Sequence, residues 1–285
     1  DLLNLTATAG NIFVSSDAAL RVKDLTTQAA TANTVDIRTT GGKAIVFDST
    51  GTYANVSGSG TANNGDAINV VTDTTGGTVT FNKALDAGSI TVSAGDAVVV
   101  NQNLSTTAVN TSGGGAGTNA VSGGVTLTAA GSISGAGTIS TGSATADDAS
   151  TGGTSTTATS GSISLTATGA NVQLGKLTTG AATVSNVNEG ASTDTATAGS
   201  ITLSGASLGT STGTPQTLAL GSGTGGAASV GGMLNLTATA GNIFVSSDAA
   251  LRVKDITTQA ATANTVDIRT RSEEHTSELQ SHLNL

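Results

Sequence analysis

A short strand-like unit recurs along this chain and constrains its fold more than any other feature. Each copy opens with glycine and then alternates apolar residues with mostly hydroxyl-bearing ones. The clearest copies begin at Gly88, Gly124, Gly161, Gly199 and Gly232, at spacings of 36, 37, 38 and 33 residues. A two-residue alternation is the period of a strand that buries one face, so each unit is predicted to open with a half-buried β-strand.

Further short apolar runs follow each opening strand after a turn. Examples are residues 97–100, 172–174 and 243–245, and a third run occurs at 20–22 and 251–253. Segments between units, such as 141–160, consist almost wholly of Thr, Ser, Gly and Ala and are expected to be loops. Apolar residues do not recur at helical spacing for long, and glycine with β-branched residues disfavours helix throughout.

A few short strands in each unit of 20 to 38 residues cannot bury their own apolar face, so neighbouring units must stack. The predicted fold is therefore all-β: a right-handed parallel β-helix, or β-solenoid, with Gly/Ser/Thr-rich loops. At about 4.8 Å per coil, on the order of a dozen coils would form a rod of roughly 60 Å.

The composition fits a thin, ordered solenoid better than a flexible linker. Thr, Ser and Gly make up 124 of the 285 residues, and only four Phe and one Tyr supply aromatic rings. The core must therefore consist of Val, Ile, Leu and Ala. A single proline, Pro215, and recurrent β-branched aliphatic residues argue against a disordered chain.

A second, much longer repeat defines the organisation of the chain. Residues 3–39 recur as 234–270, offset by 231 positions, with one change, from Leu25 to Ile256. A tandem repeat is the biological interpretation, and a misassembled read is the alternative. The predicted solenoid therefore covers residues 1–270. Residues 271–285 hold both histidines and resemble a translated sequencing adapter, so we exclude this tail from functional reasoning.

Charge and residue types exclude several classes of function. The net charge is −9, from 10 Lys and Arg against 19 Asp and Glu, so nucleic-acid binding is not expected. There is no cysteine, and both histidines lie in the tail, so Cys or His metal sites and Ser/His/Asp catalysis are not expected. No apolar stretch approaches the length of a transmembrane segment. The chain opens at Asp1 and is expected to be an internal piece of a longer protein.

The repeats resemble a known group of proteins. The pattern Gly-Ser-Ile-Thr-Leu, as at Gly199 to Leu203, with Gly-Asn-Ile turns such as Gly241 to Ile243, is similar to repeats of filamentous haemagglutinin-type bacterial exoproteins and related β-strand-repeat surface proteins. The resemblance implies a very large secreted protein, exported through an outer-membrane partner and displayed on the cell surface for adhesion or biofilm formation. It also implies host or matrix glycans or proteins as partners.

Enzymatic, metal-binding and ice-binding functions are less favoured by the sequence than adhesion. The adjacent acids Asp147 and Asp148 lack nearby aromatic residues and are expected to form a solvated turn. The segments 63–66 and 94–96 lack calcium-repeat spacing, so turns are expected there, with only incidental calcium. No catalytic, cofactor-binding or metal-ligating residue is predicted. Outward Thr-x-Thr pairs, which an ice-binding surface would repeat, occur at Thr6/Thr8, Thr126/Thr128, Thr166/Thr168 and Thr237/Thr239.

Four basic residues are the candidate ligand contacts. Arg21 and Lys23 flank Val22, and the long repeat copies them as Arg252 and Lys254 in a chain otherwise poor in positive charge. They could contact an anionic glycan, or they could discourage edge-to-edge aggregation. The expected function is a non-enzymatic adhesin shaft at the bacterial surface. The alternative is a self-associating module of a surface layer or biofilm matrix.

Overall fold

A computed structural model gives the architecture of the chain. It describes residues 2–27, 31–57, 65–112, 118–147, 155–185, 194–226, 228–258 and 264–270. Within these ranges the chain is all-β, with strands and turns and no helix. The predicted tail at 271–285 lies outside the described residues.

The described residues form 31 short strands. In chain order these are β1 Leu2–Thr6, β2 Ile12–Ser16, β3 Leu20–Thr26, β4 Thr34–Thr39, β5 Ile45–Phe47, β6 Tyr53–Ala54, β7 Ala67–Thr72, β8 Val79–Phe81, β9 Leu85–Ala87, β10 Ser89–Ala94, β11 Val98–Val100, β12 Leu104–Thr106, β13 Val109–Ser112, β14 Asn119–Val121, β15 Val125–Ala129, β16 Ile133–Ser134, β17 Ile139–Ser140, β18 Ala144–Asp147, β19 Thr157–Thr159, β20 Ile163–Ala167, β21 Val172–Gln173, β22 Lys176–Thr178, β23 Ala182–Ser185, β24 Thr195–Thr197, β25 Ile201–Gly205, β26 Gln216–Ala219, β27 Gly223–Thr224, β28 Leu234–Ala238, β29 Ile243–Ser247, β30 Val253–Thr258 and β31 Val266–Thr270.

Three long parallel sheets form the body of the molecule. The long sheet has nine strands in the order β2-β4-β7-β10-β15-β20-β25-β28-β30. The second sheet runs β1-β3-β5-β8-β11-β16-β21 with β6 beside β3, and the third sheet runs β9-β12-β17-β22-β26-β29-β31. From β7 to β22 the chain visits the long, second and third sheets in turn and adds one rung to each as it winds, which confirms the predicted parallel β-solenoid. Its right-handed sense stays a prediction.

Alternate side chains of the long sheet stack inside as straight aliphatic columns. One column contains Ile90, Val125, Ile163 and Ile201, paired rung to rung and each fully buried. A second column, two residues further along each strand, contains Val92, Leu127, Leu165 and Leu203. Burying each such side chain contributes about 1.5–3 kcal/mol, so these columns hold successive coils together.

The segments expected to be loops form a lateral arm instead. Within 141–160, residues Ala144–Asp147 and Thr157–Thr159 are strands β18 and β19. They belong to two small parallel sheets, β13-β18-β23-β27 and β14-β19-β24, which share a separate core of six alanines and two valines. Because the arm uses residues without adding rungs, the long sheet has nine strands and rises about 38 Å, shorter than the predicted rod.

The arm joins the solenoid through a narrow neck, where Thr141–Gly142 leads out to the arm and Ser160–Gly161 leads back. Buried hydroxyl groups form hydrogen bonds across this neck. The Ser122 hydroxyl donates to the Gly142 carbonyl at 2.6 Å and accepts from the Gly161 amide at 2.8 Å. Ser160 repeats this arrangement one coil later. The remaining members of the chain of hydrogen bonds are Thr106, Thr141 and Thr179. These contacts satisfy backbone groups that the narrow neck hides from water.

Glycine is required in the neck because successive backbones approach too closely for a side chain. A Cβ atom on Gly161 would lie 1.9 Å from the Gly123 carbonyl oxygen. A Cβ atom on Gly199 would lie 1.8 Å from the Gly161 oxygen, and one on Gly142 would lie 2.2 Å from the Thr107 oxygen. The recurrent Ser-Gly and Thr-Gly pairs therefore serve packing rather than flexibility.

The two copies of the long repeat have the same internal pairing but occupy different sheets. In the first copy, β1 and β3 lie in the second sheet and β2 and β4 lie in the long sheet. In the second copy, β28 and β30 lie in the long sheet and β29 and β31 lie in the third sheet. Both copies keep the same register, including the bulge at Asn4 and Asn235. The repeat length is thus out of step with the winding of the solenoid.

Candidate binding surfaces

The outer face of the long sheet carries two straight columns of hydroxyl groups. From β10 to β25 every strand contributes an aligned pair: Thr91 and Ser93, Thr126 and Thr128, Ser164 and Thr166, Thr202 and Ser204. Neighbours along a column are about 4.8 Å apart. Asn69 and Val71 precede this run on β7, and Asn235 begins the pair that follows it on β28. The result is a flat surface able to exchange hydrogen bonds with polyhydroxylated ligands.

Three of the four predicted Thr-x-Thr pairs are out of step with this surface. Thr128 aligns with Thr166, so Thr168 lies beyond β20, which ends at Ala167. Thr8 and Thr239 likewise lie beyond the ends of β1 and β28. Strand register, which the sequence pattern alone does not fix, decides which hydroxyl groups align.

The predicted ligand contacts Arg21 and Lys23 lie on β3, in the second sheet. Arg21 is paired with Asp48 at 2.5 Å, and the Lys23 ammonium lies 3.8 Å from Asp24. Hydrogen bonds from Thr50, followed by the bond from Arg21, lower the pKa of Asp48 to about 2. Since the Arg21 guanidinium already has a carboxylate partner, it is not a free anchor for an anionic glycan.

Their copies Arg252 and Lys254 lie at the other end of the solenoid. Arg252 precedes β30 and its guanidinium reaches the Gly231 carbonyl at 3.4 Å, while Lys254 lies on β30 with its ammonium 4.0 Å from Asp255. Lys254 belongs to the long sheet and Arg252 lies immediately before its strand, whereas Arg21 and Lys23 belong to the second sheet. The structure therefore does not bring the four predicted residues together.

The long repeat also carries an ion pair that the sequence analysis did not single out. Arg38 contacts Asp36 at 2.6 Å, and the copied Arg269 contacts Asp267 at 2.5 Å. Each arginine side chain is more than half exposed, at 55% and 59%. Exposed pairs of this kind contribute little to stability. Each arginine is neutralised within its own strand.

The described acidic residues considered for catalysis or calcium binding accept hydrogen bonds from other parts of the fold. Asp147 ends strand β18, where its carboxylate accepts from Ser185 at 3.2 Å, so the expected solvated turn is wrong for this residue. Its neighbour Asp148 lies outside the described residues. Asp96 occupies a bend, as predicted, and accepts from Thr78. Asp66 is fully buried and accepts from the Asn33 amide at 2.8 Å.

A pocket opens where two successive coils separate. On one side of these coils β5 pairs with β8, and Phe47 stacks on Phe81 with ring centres 4.6 Å apart. On the other side β6 pairs with β3 and β9 pairs with β12, but no ladder among the described strands joins β6 to β9. The resulting β6–β9 pocket has a volume of about 340 Å³ and is lined by residues that include Tyr53, Asn55, Val56, Asp86, Asn103 and Ser105.

Two titratable groups of this pocket have shifted pKa values. Partial desolvation raises the pKa of the Asp86 carboxyl although the residue is exposed at the surface, and the hydrogen bond donated by the Ser105 hydroxyl at 3.1 Å opposes that shift. Burial, and then the charges of Asp48 and Asp24, raise the pKa of the Tyr53 hydroxyl. The buried Tyr53 oxygen has no hydrogen-bond partner in the described part of the chain. Sequence analysis missed this site because no motif marks it.

Asn55, beside Tyr53, has an unusual backbone conformation. Its φ of 65° is the one positive value at a non-glycine residue in the described ranges. Its side-chain amide donates to the Thr27 carbonyl at 2.9 Å, which fixes this wall of the pocket to the preceding coil. Asparagine tolerates the left-handed region better than most residues.

Metal and membrane sites receive no support from the described ranges. No group of three or more His, Cys, Asp or Glu side chains in them could hold a metal ion. No described segment forms a helix long and apolar enough to cross a membrane.

Comparison with known proteins adds no relative. No protein-family model, curated protein or solved structure matches the chain. The fold and its surfaces therefore define the class: a parallel β-solenoid with a lateral arm.

Proposed function

We propose that the chain is a non-enzymatic shaft segment of a large secreted bacterial surface adhesin. The carrying observation is the nine-strand parallel sheet, whose buried aliphatic columns continue from rung to rung. Bending or stretching such a column disturbs many side-chain contacts at once, which suits a rigid spacer. The resemblance to filamentous haemagglutinin-type repeats supports an extracellular location and an outer-membrane export partner.

The hydroxyl columns supply the adhesive part of this proposal. Aligned pairs on consecutive strands offer the same weak contact many times along one face. Repetition of weak contacts raises overall avidity without any tight single site. Carbohydrate of host or matrix is the partner that fits this chemistry.

Attachment of coated beads tests the proposal. Beads carrying the chain should bind glycan-coated surfaces, and introducing charge into a column by Thr128→Asp with Thr166→Asp should reduce the binding. Thr168→Asp, which lies just beyond the strand, is the matched control and should bind as the unmodified chain does. Beads that aggregate with each other but do not attach would favour the self-associating matrix module instead. Deleting the parent gene from the producing bacterium should give the corresponding loss of attachment.

A further inference from the structure

The walls of the β6–β9 pocket are anchored to the solenoid core. Tyr53 packs edge-to-face on Phe47, with ring centres 6.1 Å apart at 90°. On the opposite wall Leu85 is fully buried, and its amide donates to the Asn103 carbonyl at 3.0 Å. A cavity of about 340 Å³ between fixed walls lies within the size range of small-ligand sites.

The lining combines apolar surface with polar groups that have spare hydrogen-bonding capacity. Tyr53 and the buried Val56 provide the apolar part. The Asp86 carboxylate accepts from the Ser105 hydroxyl and interacts with the Ala87 amide, and its remaining lone pairs can accept from a ligand. The Asn103 side-chain oxygen accepts from the Thr138 amide at 3.2 Å, and its NH₂ group makes no hydrogen bond within the described residues. Such a mixture suits a pyranose ring, which has apolar C–H faces and a rim of hydroxyl groups.

The charge around the pocket disfavours acidic ligands. Asp86 lines the pocket, and Asp24 and Asp48 are close enough to raise the pKa of Tyr53. The Arg21 guanidinium is held by Asp48 at 2.5 Å. None of the residues that line the pocket is basic, so an acidic sugar would meet the Asp86 carboxylate without a basic lining residue to offset it, whereas a neutral sugar would avoid this repulsion.

We propose that the β6–β9 pocket binds one neutral sugar residue, a hexose or N-acetylhexosamine, of a glycan lying along the shaft. Asp86 and Ser105 hydrogen-bond its hydroxyl groups, Asn103 donates to it, and Tyr53 and Val56 pack against its apolar face. This inference rests on the proposed adhesive function and adds a specific class of ligand to it.

Tyrosine fluorescence provides a selective assay. Tyr53 is the single tyrosine and the chain has no tryptophan, so its emission reports from the pocket itself. The probes are methyl glycosides of glucose, galactose and N-acetylglucosamine, with N-acetylneuraminic acid as the acidic comparison. At least one neutral glycoside should give a saturable change. Asp86→Ala and Ser105→Ala should each weaken its binding at least about tenfold.

Ser140→Ala is the matched control, because Ser140 pairs with Ser105 one rung further along the third sheet and is not part of the pocket lining. It should leave binding unchanged, and far-UV circular dichroism should confirm that every variant is folded. Saturation-transfer NMR on the same probes gives a second readout. The proposal is overturned if no neutral glycoside binds at tens of millimolar, if Asp86→Ala binds normally, or if the acidic sugar binds best. Bead attachment without any fluorescence response would overturn the pocket alone and leave the shaft function standing.

Discussion

Removing one hydroxyl group from the neck should destabilise the whole solenoid. Ser122 is 3% exposed, and its hydroxyl holds the Gly142 carbonyl at 2.6 Å and the Gly161 amide at 2.8 Å. Ser122→Ala leaves both backbone groups buried without a partner. Each such group costs about 1–3 kcal/mol, so the expected loss is about 2–6 kcal/mol. Ser122→Thr keeps the hydroxyl and should recover most of this loss, because Thr106 and Thr141 occupy equivalent neck positions.

Urea unfolding followed by far-UV circular dichroism measures the effect. Ser164→Ala is the control: it removes the same atom from the outer face of β20, and we expect a change within about 0.5 kcal/mol. The reasoning about the neck would be refuted if Ser122→Ala and Ser164→Ala unfolded at the same urea concentration, or if Ser122→Thr were as damaged as Ser122→Ala.

Three further predictions follow from packing, register and charge. Gly161→Ala should cost at least about 3 kcal/mol, because its Cβ would overlap a carbonyl oxygen, whereas Gly213→Ala, with its nearest atom at 3.7 Å, should be neutral or slightly stabilising in the same unfolding assay. Cysteines replacing the paired residues Thr202 and Asn235 should form a disulfide on oxidation, detected as a mobility shift in non-reducing electrophoresis, and its absence would contradict the register. The folded-state pKa of Asp48 lies below its ordinary value, so its stabilising contribution is present above about pH 4 and is lost as the pH falls toward 2. Asp48→Asn should therefore reduce the pH dependence of the thermal midpoint in that window, and an unchanged acid limb would count against this assignment.

The main body of the fold could be predicted from the sequence because its strands have strong alternation. Ile90 and Val92, or Ile163 and Leu165, mark an inward face that leaves little choice of structure. The arm could not be predicted in the same way. In Thr157–Thr159 the inward residue is Ala158, whose small side chain gives a weak hydrophobic signal even though it is fully buried.

The binding surfaces could not be predicted from the residue pattern, because they depend on strand register and on loop length. The hydroxyl columns required the register that aligns Thr128 with Thr166 rather than with Thr168. The β6–β9 pocket arises because β6 starts six residues after Phe47, whereas β9 starts four residues after Phe81 in the next coil. The two connecting loops differ in length by two residues, which separates the coils. No single position in the sequence indicates this difference. The basic residues were visible in the sequence, but the contacts of Arg21 with Asp48 and of Arg252 with the Gly231 carbonyl were identified only in three dimensions.

The mismatch between the 231-residue repeat and the winding of the chain has a consequence for any array of such units. Strand β1 lies in the second sheet and its copy β28 lies in the long sheet. Consecutive units therefore begin on different sheets of the solenoid. Identical side chains on consecutive units therefore point in different directions along the fibre. A fibre built in this way would present the same side chains on more than one side, so neighbouring fibres could bind it from more than one direction.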